Sequence, residues 1–145
     1  MSDNETTKRP YITTLLDVES AKAGFLLASE CPSREILSHV CSRWGVLVLV
    51  VLRSGMHRFS ELRRKIGGVS EKMLSQTLQN LEQDGFVDRR SLPVVPPHVE
   101  YRLTPMGEEV ALQVDSLACW IENNLPRIMQ VREAHEDREP LDAAS

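Results

Sequence analysis

Leu74, Leu78 and Leu81 recur at spacings of four and three between a serine, Ser70, and a glycine, Gly85. That spacing returns side chains to one face of an α-helix and cannot keep them on one face of a strand. Ser70 is a favoured helix opener, because its hydroxyl can take one of the backbone N–H groups left unpaired in the first turn. Gly85 marks the stop. The stretch is therefore read as an amphipathic helix that hides a leucine stripe. Its outward positions are Lys72, Ser75, Gln76, Gln79 and Glu82. Most of these are amides and hydroxyls, an unusual solvent face but a good hydrogen-bonding one.

The flanks add order. Met56 to Phe59 reads as a short extended piece. Ser60 then caps a two-turn helix, Glu61 to Ile66, with Leu62 and Ile66 inward and Arg63, Arg64 and Lys65 outward. Gly67-Gly68 supplies a turn. After Gly85, Phe86 to Leu92 reads as a strand, and Pro93, Pro96 and Pro97 stiffen a loop. His98 to Leu103 then alternates, with Val99, Tyr101 and Leu103 one way and His98, Glu100 and Arg102 the other. Two strands joined by a loop make a hairpin. Thr104-Pro105 opens a helix expected to run to about Asn123, with Pro126 either kinking it or separating a further turn through Val131. Val110, Leu112, Val114, Leu117, Trp120, Ile121 and Leu125 cover more than one of its faces, more apolar surface than a small domain needs.

Upstream, Ser33 can cap a helix to about Ser42 with Ile36, Leu37, Val40 and Cys41 on one face. Trp44 to Arg53 is Val-rich and suits a buried strand by propensity; its context favours a helix. Tyr11 to Ser29 carries weaker helical spacing interrupted by Gly24. The expected fold is thus mostly α (α+β): a winged helix-turn-helix with a two-stranded hairpin wing and flanking dimerisation helices. The expected division is an N-terminal arm at 1–30, a DNA-binding core at 31–103, a C-terminal dimerisation helix at 104–131 and a disordered tail at 132–145.

Bulk properties narrow the classes. The polar start is unlike a signal peptide, and the longest apolar run, Val46 to Leu52, falls far short of the roughly 20 residues that span a bilayer. A cytoplasmic protein with no membrane partner is expected. Three cysteines, without a CxxC pair, make neither a disulfide framework nor a structural zinc site. A net charge of −4 looks wrong for a nucleic-acid partner. However, Arg34 to Arg102 holds 11 basic and 7 acidic residues, leaving 6 basic and 14 acidic elsewhere. A basic centre between acidic ends fits a nucleic-acid surface flanked by protein-contact segments.

In a helix-turn-helix the second helix enters the major groove and the first lies over the backbone. Arg63, Arg64 and Lys65 then meet phosphates, which gives affinity without sequence information. Ser70 and the N–H groups after it offer a phosphate seat. Lys72, Ser75, Gln76 and Gln79 are placed for base edges. Arg89, Arg90 and His98 lie on the hairpin, where they can follow an adjacent groove or backbone. Each feature alone has a plainer reading as solvated surface; the order of elements favours double-stranded DNA. An enzyme is the first rival, but no GxSxG, phosphate loop, dinucleotide fingerprint or HExxH is present, and no metal or cofactor is expected. The second rival is a winged-helix interaction module that never touches DNA.

The segments CPSREIL, RWGVLVLVVL, HRFSELRRKIGGVSEKMLSQTLQNLEQDGFVDR, PVVPPHVEYRLTPMGEE and LACWIE resemble the HxlR family of bacterial transcriptional regulators. The resemblance covers roughly Cys31 to Glu122. It implies a winged-helix homodimer on a pseudo-palindromic operator, with Ser70, Lys72, Met73, Ser75 and Gln76 at the start of the recognition helix. It further implies that Cys31 matches a cysteine with which several members sense quinones, aldehydes or oxidants, so a small electrophile or oxidant is a candidate effector. From the residues alone, Cys31 before a helix start is equally a structural thiol. Cys41, on the face of Leu37 and Val40, is expected to be buried, and Cys119 beside Trp120 to be packed.

Overall fold

The computed structural model describes residues 26, 27 and 29–142, with side chains of the last helix described to Arg138. The reading of Tyr11 to Ser29 as a helix, and most of the arm at 1–30, lies outside the described residues. The chain divides into two compact units at Ser38/His39.

In the first unit, Cys31 is buried, and its carbonyl accepts the Arg34 N–H at 3.0 Å. There α1 (Pro32–Val40) begins, two residues earlier than Ser33 as a cap would place it. Ile36 and Leu37 are exposed.

In the second unit, α1 ends at Val40, and α2 (Arg43–Leu52) starts afresh from Ser42, whose hydroxyl accepts the Gly45 N–H at 3.0 Å. That break corrects the expectation for Cys41. The residue sits in the turn rather than on a continued helix face, and it is exposed. Val-rich α2 is helical despite its strand propensity. Val48, Leu49 and Leu52 are each at most 1% exposed, so tertiary burial outweighs a preference of well under 1 kcal/mol per residue.

Next come β1 (His57–Arg58), α3 (Phe59–Lys65) and α4 (Glu71–Gln83). The α4 stripe of Leu74, Leu78 and Leu81, with Thr77, faces the core, and Ser70 caps the helix by accepting the Met73 N–H at 3.1 Å. The wing strands are β2 (Val87–Leu92) and β3 (His98–Leu103), antiparallel with Arg89 opposite Tyr101 and Arg90 opposite Glu100. The sheet has three strands in the order β1-β3-β2, because His57 pairs with Tyr101. The two-stranded hairpin read from the sequence therefore gains an edge strand from the segment before α3.

The final helix, α5 (Pro105–Asp142), begins where Thr104 joins three backbone groups. Its hydroxyl donates to the Gly85 carbonyl at 2.6 Å and accepts the Gly107 N–H at 2.9 Å, while its own N–H reaches the Phe86 carbonyl at 3.1 Å. The helix runs unbroken through Pro126 to Asp142, which corrects both the expected end near Asn123 and the frayed tail from Arg132. A proline removes one hydrogen bond and costs about 3 kcal/mol. The Arg- and Glu-rich turns beyond it favour helix and extend it on the far side. Among the described residues no single helix is long and apolar enough to cross a membrane.

Candidate nucleic-acid interface

Helix α4 presents Lys72, Met73, Ser75, Gln76 and Gln79 to solvent, while Leu74, Leu78 and Leu81 hold it down. At its C-terminal end Asp84 pairs with His39 at 2.6 Å, both side chains largely buried, so both ends of the helix are fixed. Gln76 Nε2 donates to Asn80 Oδ1 at 3.0 Å, an i, i+4 pair that fixes which way the amide points. The exposed face thus combines a cation, a hydroxyl and two amides on a helix anchored by its apolar stripe. That is the donor and acceptor set that reads base edges in a major groove.

The cations of α3 are less free than a solvated face. Arg63 donates to Glu71 Oε1 at 3.0 Å, tying α3 to the first residue of α4. Lys65 Nζ lies 2.8 Å from His57 Nε2, and His57 Nδ1 lies 2.8 Å from the Gly55 carbonyl. An ammonium only donates and a carbonyl only accepts, so the buried ring is neutral, with its proton on Nδ1. Lys65 is therefore held toward the sheet edge, and Arg64 is the α3 cation with no protein partner among the described hydrogen bonds and ion pairs.

The wing separates residues that the sequence had grouped. Successive strand residues point to opposite faces. Arg89 shares its face with Tyr101 and lines an open cleft of about 320 Å³ with Ser75, Gln79 and Glu82 of α4. Arg90 lies on the other face, opposite Glu100, and His98 Nε2 sits 3.6 Å from Glu100 Oε2. The structure thus brings Arg89 to α4 and leaves Arg90 and His98 beside a carboxylate. Two residues passed over in the sequence belong to this surface, Glu71 and His57. An acid in the first helical turn looks like ordinary dipole compensation, and the role of His57 depends on a strand that pairs 44 residues away.

Among the described residues no cluster of His, Cys, Asp or Glu is arranged to hold a metal ion. Cys31 is 5% exposed, whereas Cys41 and Cys119 are exposed, the latter against the expectation of packing. Cys119 lies on the stretch of α5 beyond Val114, the last buried residue among the described side chains of that helix.

The family model described as HxlR-like helix-turn-helix matches residues 39–129. The chain belongs to the HxlR family. Its similarity to the uncharacterized HTH-type transcriptional regulator YtfH of Escherichia coli (strain K12) is 66% identity over 115 residues, 79% of this chain and 91% of that protein. The solved structure of transcriptional regulator ytfH from Salmonella typhimurium superposes with a TM-score of 0.74 at 68% identity, covering 76% of this chain and 98% of that one. A redox regulator, HypR, solved in its oxidized form, superposes with a TM-score of 0.60 at 34% identity, covering 65% of this chain and 97% of that one. The HxlR match begins at His39, where the second compact unit begins, and takes in the whole helix-turn-helix and wing. The chain is thus a winged-helix member of a family of transcriptional regulators.

Proposed function

We propose that this chain is a homodimer that binds a pseudo-palindromic operator, with α4 in the major groove and the wing against the neighbouring backbone. The observation that carries the reading is the exposed face of α4, Lys72, Ser75, Gln76 and Gln79, on a helix anchored at both ends. Arg64 beside it and Arg89 across the cleft supply phosphate contacts.

The dimer reading rests on α5. Leu117, Trp120, Ile121, Leu125, Met129 and Val131 are each at least 40% exposed. Val114, Leu117, Ile121, Leu125 and Ile128 follow one another at steps of three and four, the seam with which two helices pack. A second copy of the helix about a two-fold axis would cover that seam and set two α4 helices about one DNA turn, ~34 Å, apart.

The effector reading is a thiol one. HypR is described as a redox regulator, and Cys31 is the cysteine that the family resemblance singles out. Cys31 is buried, so an electrophile reaches it only when its surroundings open. Cys41 and Cys119 are exposed and meet the reagent first. The test is fluorescence anisotropy on DNA upstream of the chain's own gene, at two salt concentrations, with and without diamide, in a Cys41→Ser/Cys119→Ser background. Expected are tight binding that weakens steeply with salt, as released counterions require, and loss of binding with diamide that Cys31→Ser abolishes. Loss that persists in Cys31→Ser would remove the thiol switch and keep the regulator. Salt-insensitive or absent binding there, and to duplexes selected from a random library, would instead favour an interaction module.

A further inference from the structure

Among cations, hydroxyls and amides, the recognition helix opens with a carboxylate, Glu71, whose side chain is 71% exposed. An acid on a surface that meets phosphates is a liability unless it does something there. Two observations say what it can do. Its Oε1 accepts from Arg63 Nη1 at 3.0 Å, so the carboxylate is held by an arginine of the preceding helix. It also borders an open cleft of about 360 Å³ with Phe59, Ser60, Arg63 and Arg64, at the mouth of the helix-turn-helix. The hydrogen bond to Arg63 engages Oε1 alone and leaves Oε2 as an acceptor. At the N-terminal end of a groove-reading helix, side chains reach base edges. In the major groove cytosine offers only a donor, its N4 amino group, and carboxylates accept from it.

We propose that Glu71 is a specificity-determining residue that reads a cytosine at one position of each operator half-site, with Arg63 as its positioning partner. The proposal rests on α4 being the major-groove helix, as argued above. A carboxylate has a second consequence there. It repels phosphates when no cytosine amino group meets it, so it weakens binding to unrelated DNA. Glu71 thereby raises discrimination from both sides, through a contact to the right base and a penalty on the wrong sequence. An acid kept only to complement the helix dipole would have neither effect on base preference.

The experiment is selection and anisotropy on duplexes with a randomised 20-base-pair core, using the full chain as wild type, Glu71→Gln and Glu71→Asp. Wild type should yield a two-fold symmetric motif containing a specified C in each half. In Glu71→Gln that position should relax by about 5- to 100-fold in preference, the range of one good base contact, while other positions keep theirs. Affinity for an unrelated duplex should rise by several fold. Glu71→Asp keeps the charge but shortens the reach, so it should relax the same position without the gain on unrelated DNA. A Glu71→Gln motif identical to wild type, or one weakened evenly at every position, would overturn the proposal. Absence of any motif from wild type would instead overturn the groove-reading assignment on which it rests. Unchanged circular dichroism and melting of the variants exclude a folding defect.

Discussion

Gly107 decides how the last helix meets the wing, and replacing it with alanine tests that geometry. In an exposed helix the change would help, because alanine is favoured over glycine by about 1 kcal/mol. Here a Cβ would stand 1.9 Å from the Phe86 carbonyl oxygen and 2.8 Å from its carbonyl carbon, both backbone atoms. That carbonyl also accepts the Thr104 N–H, and the Phe86 N–H is bonded to the Leu81 carbonyl at 2.9 Å. Relief requires α5 and the start of β2 to part by more than 1 Å, which strains or breaks the Thr104 bond. Overpacking of this kind costs about 1–3 kcal/mol, and a lost hydrogen bond about 1 kcal/mol more. After the propensity gain, Gly107→Ala should destabilise by about 2 kcal/mol, lowering Tm by about 4–8 °C for a chain of this size. The assay is thermal unfolding followed by circular dichroism at one fixed protein concentration, since any association between copies makes Tm concentration-dependent. Gly67→Ala is the control. A Cβ there meets nothing within 4 Å and the backbone is not left-handed. It should be neutral or stabilising by up to about 1 kcal/mol. A Gly107→Ala protein that melts at or above wild type would refute the claim that α5 is seated backbone to backbone on Phe86.

Three further outcomes follow from the same geometry. Leu117→Glu with Ile121→Glu should convert a dimer to a folded monomer, seen as a halved mass in light scattering, because both side chains lie on the exposed α5 seam and outside the core. Arg64→Ala should weaken DNA binding about evenly across sequences and reduce the salt slope by about 1, whereas Gln76→Ala should relax preference at one base position. Glu61 has its carboxyl held below the ordinary 4.5, chiefly by the Arg58 backbone N–H that donates to it at 2.8 Å. Its contribution is therefore present above pH 4.5 and lost as pH falls through the lowered value. The Tm difference between wild type and Glu61→Gln, measured from pH 7 to pH 3, should shrink toward zero at the acid end; a constant difference would rule out that carboxylate as its source.

Where a signal was local, the sequence carried it. The α4 helix needed only the leucine spacing, the Ser70 cap and the Gly85 stop, and Gly85 has a positive φ of 86°. Where structure depended on distant partners, the sequence was silent or misleading. A two-residue strand at His57–Arg58 exists only because β3 pairs with it. Its consequence, Lys65 drawn toward a buried neutral imidazole, could not be seen from a basic run that reads as one face. The pairing of Arg63 with Glu71 similarly depends on the turn between α3 and α4, which brings the first residue of α4 within reach of Arg63. Arg89 and Arg90 are a different case. Neighbours on a strand cannot share a face, so their separation was already implied by period two once the hairpin was read.

The C-terminal helix shows why charge alone is a poor guide to order. Residues beyond Val131 are charged or small, which reads as a solvated tail. Yet arginine, glutamate and alanine are strong helix formers, and nothing between Pro126 and Pro140 interrupts them. A helix begun on the core at Ala111 and Val114 therefore continues far past Val114, at 1.5 Å per residue, for about 40 Å. An isolated helix draws little stability from propensity alone, and most of what holds helices in proteins is packing of an apolar face. The exposed seam from Leu117 to Val131 is the face available for that packing. The stretch that looked least structured thus extends the helix that a second copy would complete, so removing residues 132–145 should shorten α5 and weaken the dimer before it disturbs the wing or α4.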